Sequence, residues 1–200
     1  EFQQEVHFGL GQKPEAKQYD LGWKGLRFQS ADGRQIAQFN RDGFLFSRLP
    51  PYEHWEQLRD EGMRLWHLHR DLARPTEAQR LGLRFINRFV LPVQELRFED
   101  YIRPHPVPPR DLELPFLGFL HHDILVVPDS PYAINVVRMI QPPSGQRSQT
   151  VTIILDIDVF TAQPFELRQE LLVARLAEMR WLKNKVFFGS ITKKALEKFR

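Results

Sequence analysis

The residues of this 200-residue chain best placed to do chemistry are arginines. Arg80, Arg84 and Arg88 recur at every fourth position of the run Arg80-Leu81-Gly82-Leu83-Arg84-Phe85-Ile86-Asn87-Arg88-Phe89. Read with the two-residue period of a strand, they share one face, while Leu81, Leu83, Phe85 and Phe89 share the other. A guanidinium is permanently charged and presents a planar fork of donors to carboxylate or phosphate. Arg80, Arg84 and Arg88, with Asn87 beside them and Arg138 on a neighbouring strand, therefore form a candidate anion-binding set. The competing reading is that they are solvated or paired with acids on the next strand, where exposed ion pairs contribute about 0–1 kcal/mol each.

The acids that could answer them are Asp156 and Asp158, in Leu155-Asp156-Ile157-Asp158. Two apart on a strand, they point to one face with Thr152 and Ile154. Such a pair can bind a divalent cation or serve as acid and base, and Glu166 is the one further ligand nearby. Equally, the two carboxylates can face the arginines across the sheet, and a cross-strand network then explains both stripes at once.

Other constellations are incomplete. His67 and His69 diverge by about 200° on a helix and cannot chelate one metal. His121 and His122 open a strand and point to opposite faces. With no cysteine there is no disulfide, thiolate nucleophile or thiolate metal site. A nucleophile elbow and a P-loop are missing, and Gly9-Leu10-Gly11 lacks the third glycine of a dinucleotide fingerprint. No cofactor is expected. Ser190 and Thr192 read as turn and cap residues of a last helix. Trp23, Phe28, Tyr101 and Tyr132, near Arg27, Arg103 and Arg138, are the aromatics a sheet would need to stack single-stranded nucleic acid.

Composition sets the frame for these groups. A hydrophobic fraction of 42% and sixteen phenylalanines suffice for a core, while a net charge of +3 is weak for a DNA-binding surface. No apolar run approaches the roughly 18 residues of a membrane span, and no signal peptide is visible. The expectation is a cytoplasmic protein without membrane association.

Turn residues bracket three strands at 24–29, 34–39 and 44–48, with two Asp-Gly turns that predict an antiparallel meander. An irregular start holds a short strand at 5–10. Pro50-Pro51 predicts the opening of a helix over 52–73, whose Trp55, Leu58, Gly62, Met63, Leu65, Trp66 and Leu72 give a buried stripe. The arginine strand follows, paired with a shorter strand over 94–102. A short helix is expected at 112–120. Strands at 124–127, 132–141 and 149–160 and a long helix over 165–186 complete the order. Hairpins with segregated helices mean an α+β fold, here a mostly antiparallel sheet with two long helices packed on one face. Residues 1–200 read as a single domain, with a candidate internal boundary at the proline-rich connector 104–115.

These pieces resemble a sporadically distributed prokaryotic family of unknown function. Its members carry a Tyr-x-x-Trp-x-x-Phe/Leu opening, matched by Tyr52, Trp55 and Leu58. They share the Arg-Ile/Leu-Gly-Leu-Arg-Tyr/Phe-Ile-Asn-Arg strand, matched by Arg80 to Arg88, and a Phe-x-x-x-Ile-Thr segment, matched by Phe188 to Thr192. The Leu-Asp-Ile-Asp strand also fits. The resemblance covers roughly residues 40–200 and implies a bacterial, stand-alone protein. Members begin with a further strand and helix that this chain lacks at its front. No activity comes with the likeness.

The functional expectation is a non-enzymatic binding or regulatory module whose sheet face carries Arg80, Arg84, Asn87, Arg88 and Arg138. Its ligand would be anionic or its partner a protein, a second copy included. The alternatives are a nucleic-acid-associated protein of a defence or regulatory locus, and a metal-dependent hydrolase using Asp156 and Asp158.

Overall fold

The computed structural model describes residues 24–93, 97–107, 118–141, 150–161 and 163–197, and the backbone pairing of residues 2–7 and 15–20. The chain divides into two units, Glu1–Pro75 and Thr76–Arg200. The division falls where the first long helix ends. The connector 104–115 lies within the second unit, and its residues from 108 onward fall outside the described residues, as does most of the helix expected at 112–120.

In the first unit, β1 (Phe2–His7) pairs antiparallel with β2 (Glu15–Asp20). Then β3 (Gly25–Gln29), β4 (Gln35–Asn40) and β5 (Gly43–Arg48) form the expected meander. Gly33 takes the left-handed conformation, φ 71°, that lets the first of its turns close. Pairing puts Phe39 opposite Phe44 and Ala37 opposite Phe46, so the aromatics gather on one face. Helix α1 (Trp55–Ala73) packs there. Gly62 makes the approach close, because a Cβ at that position would stand 3.3 Å from Phe46. His69 is buried among Phe39, Phe44 and Trp66, so its imidazole is a packing group, and burial holds its pKa below the usual range. The helix starts later than expected. Residues 51–54 are irregular, so Pro50-Pro51 precedes the first turn and does not form it. It ends at Arg74, which adopts φ 48° and donates its N–H to the Arg70 carbonyl at 2.8 Å before Pro75 forbids another turn.

The second unit is built on an antiparallel sheet in the order β7-β10-β9-β8, from β7 (Leu81–Pro92), β8 (Leu120–Val126), β9 (Tyr132–Gln141) and β10 (Thr150–Thr161). A two-stranded pair, β6 (Glu77–Ala78) with β11 (Phe165–Glu166), accompanies it. Helix α2 (Gln169–Ser190) packs on β10 and β7, and α3 (Lys193–Glu197) follows. Thr192 accepts the Ala195 N–H at 3.1 Å, the cap its type implies.

The strand expected over 94–102 is not formed by its described residues. Phe98–Asp100 is a 3-10 turn, and Ile102 makes one isolated bridge to Ile191. Phe98, Tyr101 and Ile102 are all buried, a spacing of three and four that suits a turn packed as a plug, not a strand of period two.

The antiparallel α+β class holds, with one long helix serving each unit: α1 lies on the meander and α2 on the four-stranded sheet. Beneath α2, Val151, Ile153, Leu155, Ile157 and Val159 of β10 are buried, together with Leu83, Phe89 and Leu91 of β7 and Met179 of α2. Each such side chain contributes about 1.5–3 kcal/mol by leaving water. Ile157→Ala is therefore expected to cost the second unit about 2–5 kcal/mol, read by chemical denaturation, while Ile86→Ala on the exposed face of β7 should stay within about 0.5 kcal/mol of the parent.

Candidate functional site

The site-bearing surface is the face of the four-stranded sheet that α2 does not cover. Its layout follows from register. On β7, even-numbered residues from Gly82 to Pro92 are exposed, while Leu83, Phe89 and Leu91 are buried. Asp156 stands opposite Ile86 and Asp158 opposite Arg84, so both carboxylates share the face of the arginines. Further across, Asp156 is level with Val137 and His122, and Asp158 with Asn135 and Ile124.

The two charged stripes meet diagonally. Arg84 donates from Nε to Asp156 Oδ1 at 2.9 Å and from Nη2 to Asp156 Oδ2 at 2.5 Å, a bidentate fork. Arg80 donates from Nη2 to Asp158 Oδ2 at 2.8 Å, and its guanidinium lies 4.8 Å from the centre of the Phe160 ring. Gly82 makes room for it, since a Cβ there would come within 2.8 Å of Arg80 Nη1. The hydrogen bond to Asp156 raises the Arg84 pKa further above its already high value. Arg88 is on the same exposed face, level with Ile154.

Asn87 and Arg138 are not part of this surface. Asn87 is odd-numbered on β7 and turns to the helix-covered side, where Nδ2 donates to the Leu155 carbonyl at 3.0 Å. Arg138 is level with Leu155, is only 4% exposed and pairs with Asp123 of β8. Among the described residues its Nε has no hydrogen-bond partner, and burial lowers its pKa from the ordinary value. Both positions were legible in the sequence. Arg138 falls in phase with Tyr132, Ile134, Val136 and Ile140, and Asn87 with Phe85 and Phe89, so strand parity already assigns them to the packed side.

The paired arginines also redefine Asp156 and Asp158. A cation held by these two carboxylates would have to displace both guanidiniums. Glu166 lies apart on β11 with its carboxylate 3.2 Å from Arg168 Nε. Among the described residues no group of three or more His, Asp or Glu side chains could hold a metal ion. His121 packs on Phe119 of the covered side, and His122 is exposed on the open one.

Exposed aliphatics share the open face with these polar groups, which the arginine motif did not announce. Ile86 and Val90 alternate with the arginines on β7. Across the sheet, β8 exposes Leu120, Ile124 and Val126, the last at 76%. Between them Ile154, Met139 and Val137 are half-buried by their neighbours. The signal was the alternation Leu120-His121-His122-Asp123-Ile124-Leu125-Val126, weakened because both parities contain apolar residues. In the first unit, by contrast, the pocket lined by Gln35, Phe46, Arg48, Tyr52, His54 and Leu58 encloses only about 30 Å³.

A second group the sequence did not reveal is Lys183 on α2. Its ammonium lies 4.2 Å from the centre of the Phe85 ring on the covered side of the sheet. Burial, with Arg180 nearby, brings its pKa down to about 8. On the same side the Tyr132 hydroxyl donates to the Glu178 carboxylate, and burial followed by that carboxylate pushes the phenol well above its usual range.

Two outcomes follow. Arg84→Ala leaves the largely buried Asp156 without its fork, and the loss in denaturation free energy is expected at about 1 kcal/mol, with a double-mutant cycle against Asp156→Ala recovering most of it as coupling. For Lys183, the unfolded chain keeps its proton up to the ordinary value near 10.5 while the folded chain releases it near 8. The unfolded state binds more protons in that window, so this group makes stability rise with pH, by about 2 kcal/mol between about pH 7.5 and 9.5. Denaturation of the parent and of Lys183→Met across that range should show the rise in the first and its loss in the second.

No family model, no curated protein and no solved structure matches this chain.

Proposed function

We propose that the chain is a non-enzymatic binding module whose second unit offers its open sheet face to a protein partner. The observation that carries this reading is the aliphatic surface on that face, where Ile86 is 57% and Val126 76% exposed beside Val90, Leu120 and Ile124. An antiparallel sheet with one packed face ordinarily turns polar side chains to water on the other. Several large apolar side chains exposed on one face among charged groups suit an interface better than a solvated surface.

The border is cationic and still accessible. The Arg84 side chain is 60% exposed although it bonds Asp156, and Arg80 is about half exposed beside Asp158. The partner that fits is an amphipathic polypeptide segment, with apolar contact residues for the centre and acidic residues for the β7 edge. The arginines keep an anion-recognising role here, as specificity elements at the margin. Nucleic acid fits less well, because two of the three arginines are already matched by carboxylates on the same face. A bacterial, cytoplasmic setting belongs to the same proposal and is supported by the family likeness of the Tyr52–Leu58, Arg80–Arg88 and Phe188–Thr192 segments.

The test is selection of displayed random peptides on the immobilised protein, followed by affinity measurement. Enriched peptides should be amphipathic and acidic, and Ile86→Glu or Ile124→Glu should weaken them tenfold or more at unchanged melting temperature. Leu26→Glu, an exposed control in the first unit, should leave them unaffected. Binders indifferent to both sheet substitutions would overturn the proposal. So would a single-stranded oligonucleotide that binds with a steep salt dependence and survives those substitutions.

A further inference from the structure

A helix that covers a sheet needs one apolar stripe and turns a polar face to water. Helix α2 has two such stripes. Its inner side carries Leu172 and Met179, both buried, and Lys183 over Phe85. Half a turn round the axis, on the side away from the sheet, lie Ala174, Ala177, Trp181 and Phe188. Trp181 is 58% and Phe188 57% exposed. The steps of three, four and seven between these four residues are the spacing of a seam between two helices.

The charges along that seam favour one occupant. Glu170 stands at the N-terminal end of the stripe and Lys185 near its C-terminal end, about 22 Å apart at 1.5 Å per residue. Lys185 Nζ lies 4.5 Å from the centre of the Trp181 ring, on the seam side of the helix. A second α2 running antiparallel, about a two-fold axis near Ala177, would set Glu170 of each copy against Lys185 of the other. The same register opposes Trp181 to the small Ala174 and brings the two Ala177 residues within one position of each other beside the axis, where their methyl groups let the helices approach closely. A parallel pair would instead set Glu170 against Glu170. The stripe is thus complementary to itself in one orientation, in charge and in size.

We infer that α2 is the dimerisation element of this protein, the Glu170–Lys185 stretch of its outer stripe docking antiparallel on the same stretch of a second copy. The contact covers on the order of a few hundred Å² per copy, below the roughly 800 Å² per partner of a standard interface, so the dimer is weak and dissociates on dilution. It uses the side of the unit opposite the open sheet face, and that face stays accessible in each copy.

Sedimentation equilibrium of the full chain, with Trp181 fluorescence followed over the same concentrations, tests this. The expected result is a monomer–dimer equilibrium with a concentration-dependent blue shift. Glu170→Lys and Lys185→Glu should each weaken the dimer tenfold or more, and the double charge reversal should restore it to within threefold of the parent, with circular dichroism confirming the fold of all three. A monomer at every concentration up to about 1 mM overturns the inference. So does a dimer unmoved by either single reversal, or a double reversal no tighter than the singles.

Discussion

The second unit depends on the register of β10 between β7 and β9. This strand is hydrogen-bonded along both edges, and its side chains alternate without a break between two environments. Val151, Ile153, Leu155, Ile157 and Val159 enter the core under α2. Asp156 and Asp158 turn to the open face. A slip of one residue would drive both carboxylates into the core and expose the aliphatics, so the pattern tolerates only its own pairing. The Arg84–Asp156 and Arg80–Asp158 bonds then act across β7 and β10 as a check on that register, worth little singly in water but available only when the strands are aligned.

Because the sheet is packed on one side only, the unit has two exposed layers with different characters. The outer side of α2 is a narrow stripe ending in Trp181 and Phe188. The far face of the sheet is broad, with aliphatics on β8 and β7 and arginines along one border. Neither is what a monomer in water requires of a surface, since large apolar side chains gain nothing from standing in solvent side by side. Chemistry is less conspicuous than adhesion here. On the packed side of the sheet Lys183, Tyr132 and Arg138 owe their displaced pKa values chiefly to burial, while on the open face Arg84 is raised by its hydrogen bond to Asp156.

Arg138 shows where reading by residue type goes astray. An arginine on a strand next to other arginines suggests a shared site, yet its parity with Ile134 and Val136 sends it to the opposite side, against Asp123. Asn87 fails in the same way. Its backbone-directed bond to Leu155 ties β7 to β10 from within the covered layer. In both cases direction along the strand, a local property, outweighed chemical similarity. The turn at Phe98–Asp100 is a different kind of miss. Its apolar residues were visible, but only packing with Ile102 and Ile191 decides that they form a plug and not a strand.

The α+β class, the meander, the two long helices and the one-faced grouping of Arg80, Arg84 and Arg88 with each other and of Asp156 with Asp158 were legible in the chain alone. These follow from side-chain period and turn chemistry, which act over a few neighbouring residues. Tertiary structure decided that the arginines meet those aspartates, partners 72 and 78 positions away in the chain. It also decided which face of the sheet α2 covers and which aliphatics are left in water. Those outcomes depend on strand order and on the placement of one helix, and both are settled by burying the largest apolar area as a whole, a quantity no short window of sequence contains.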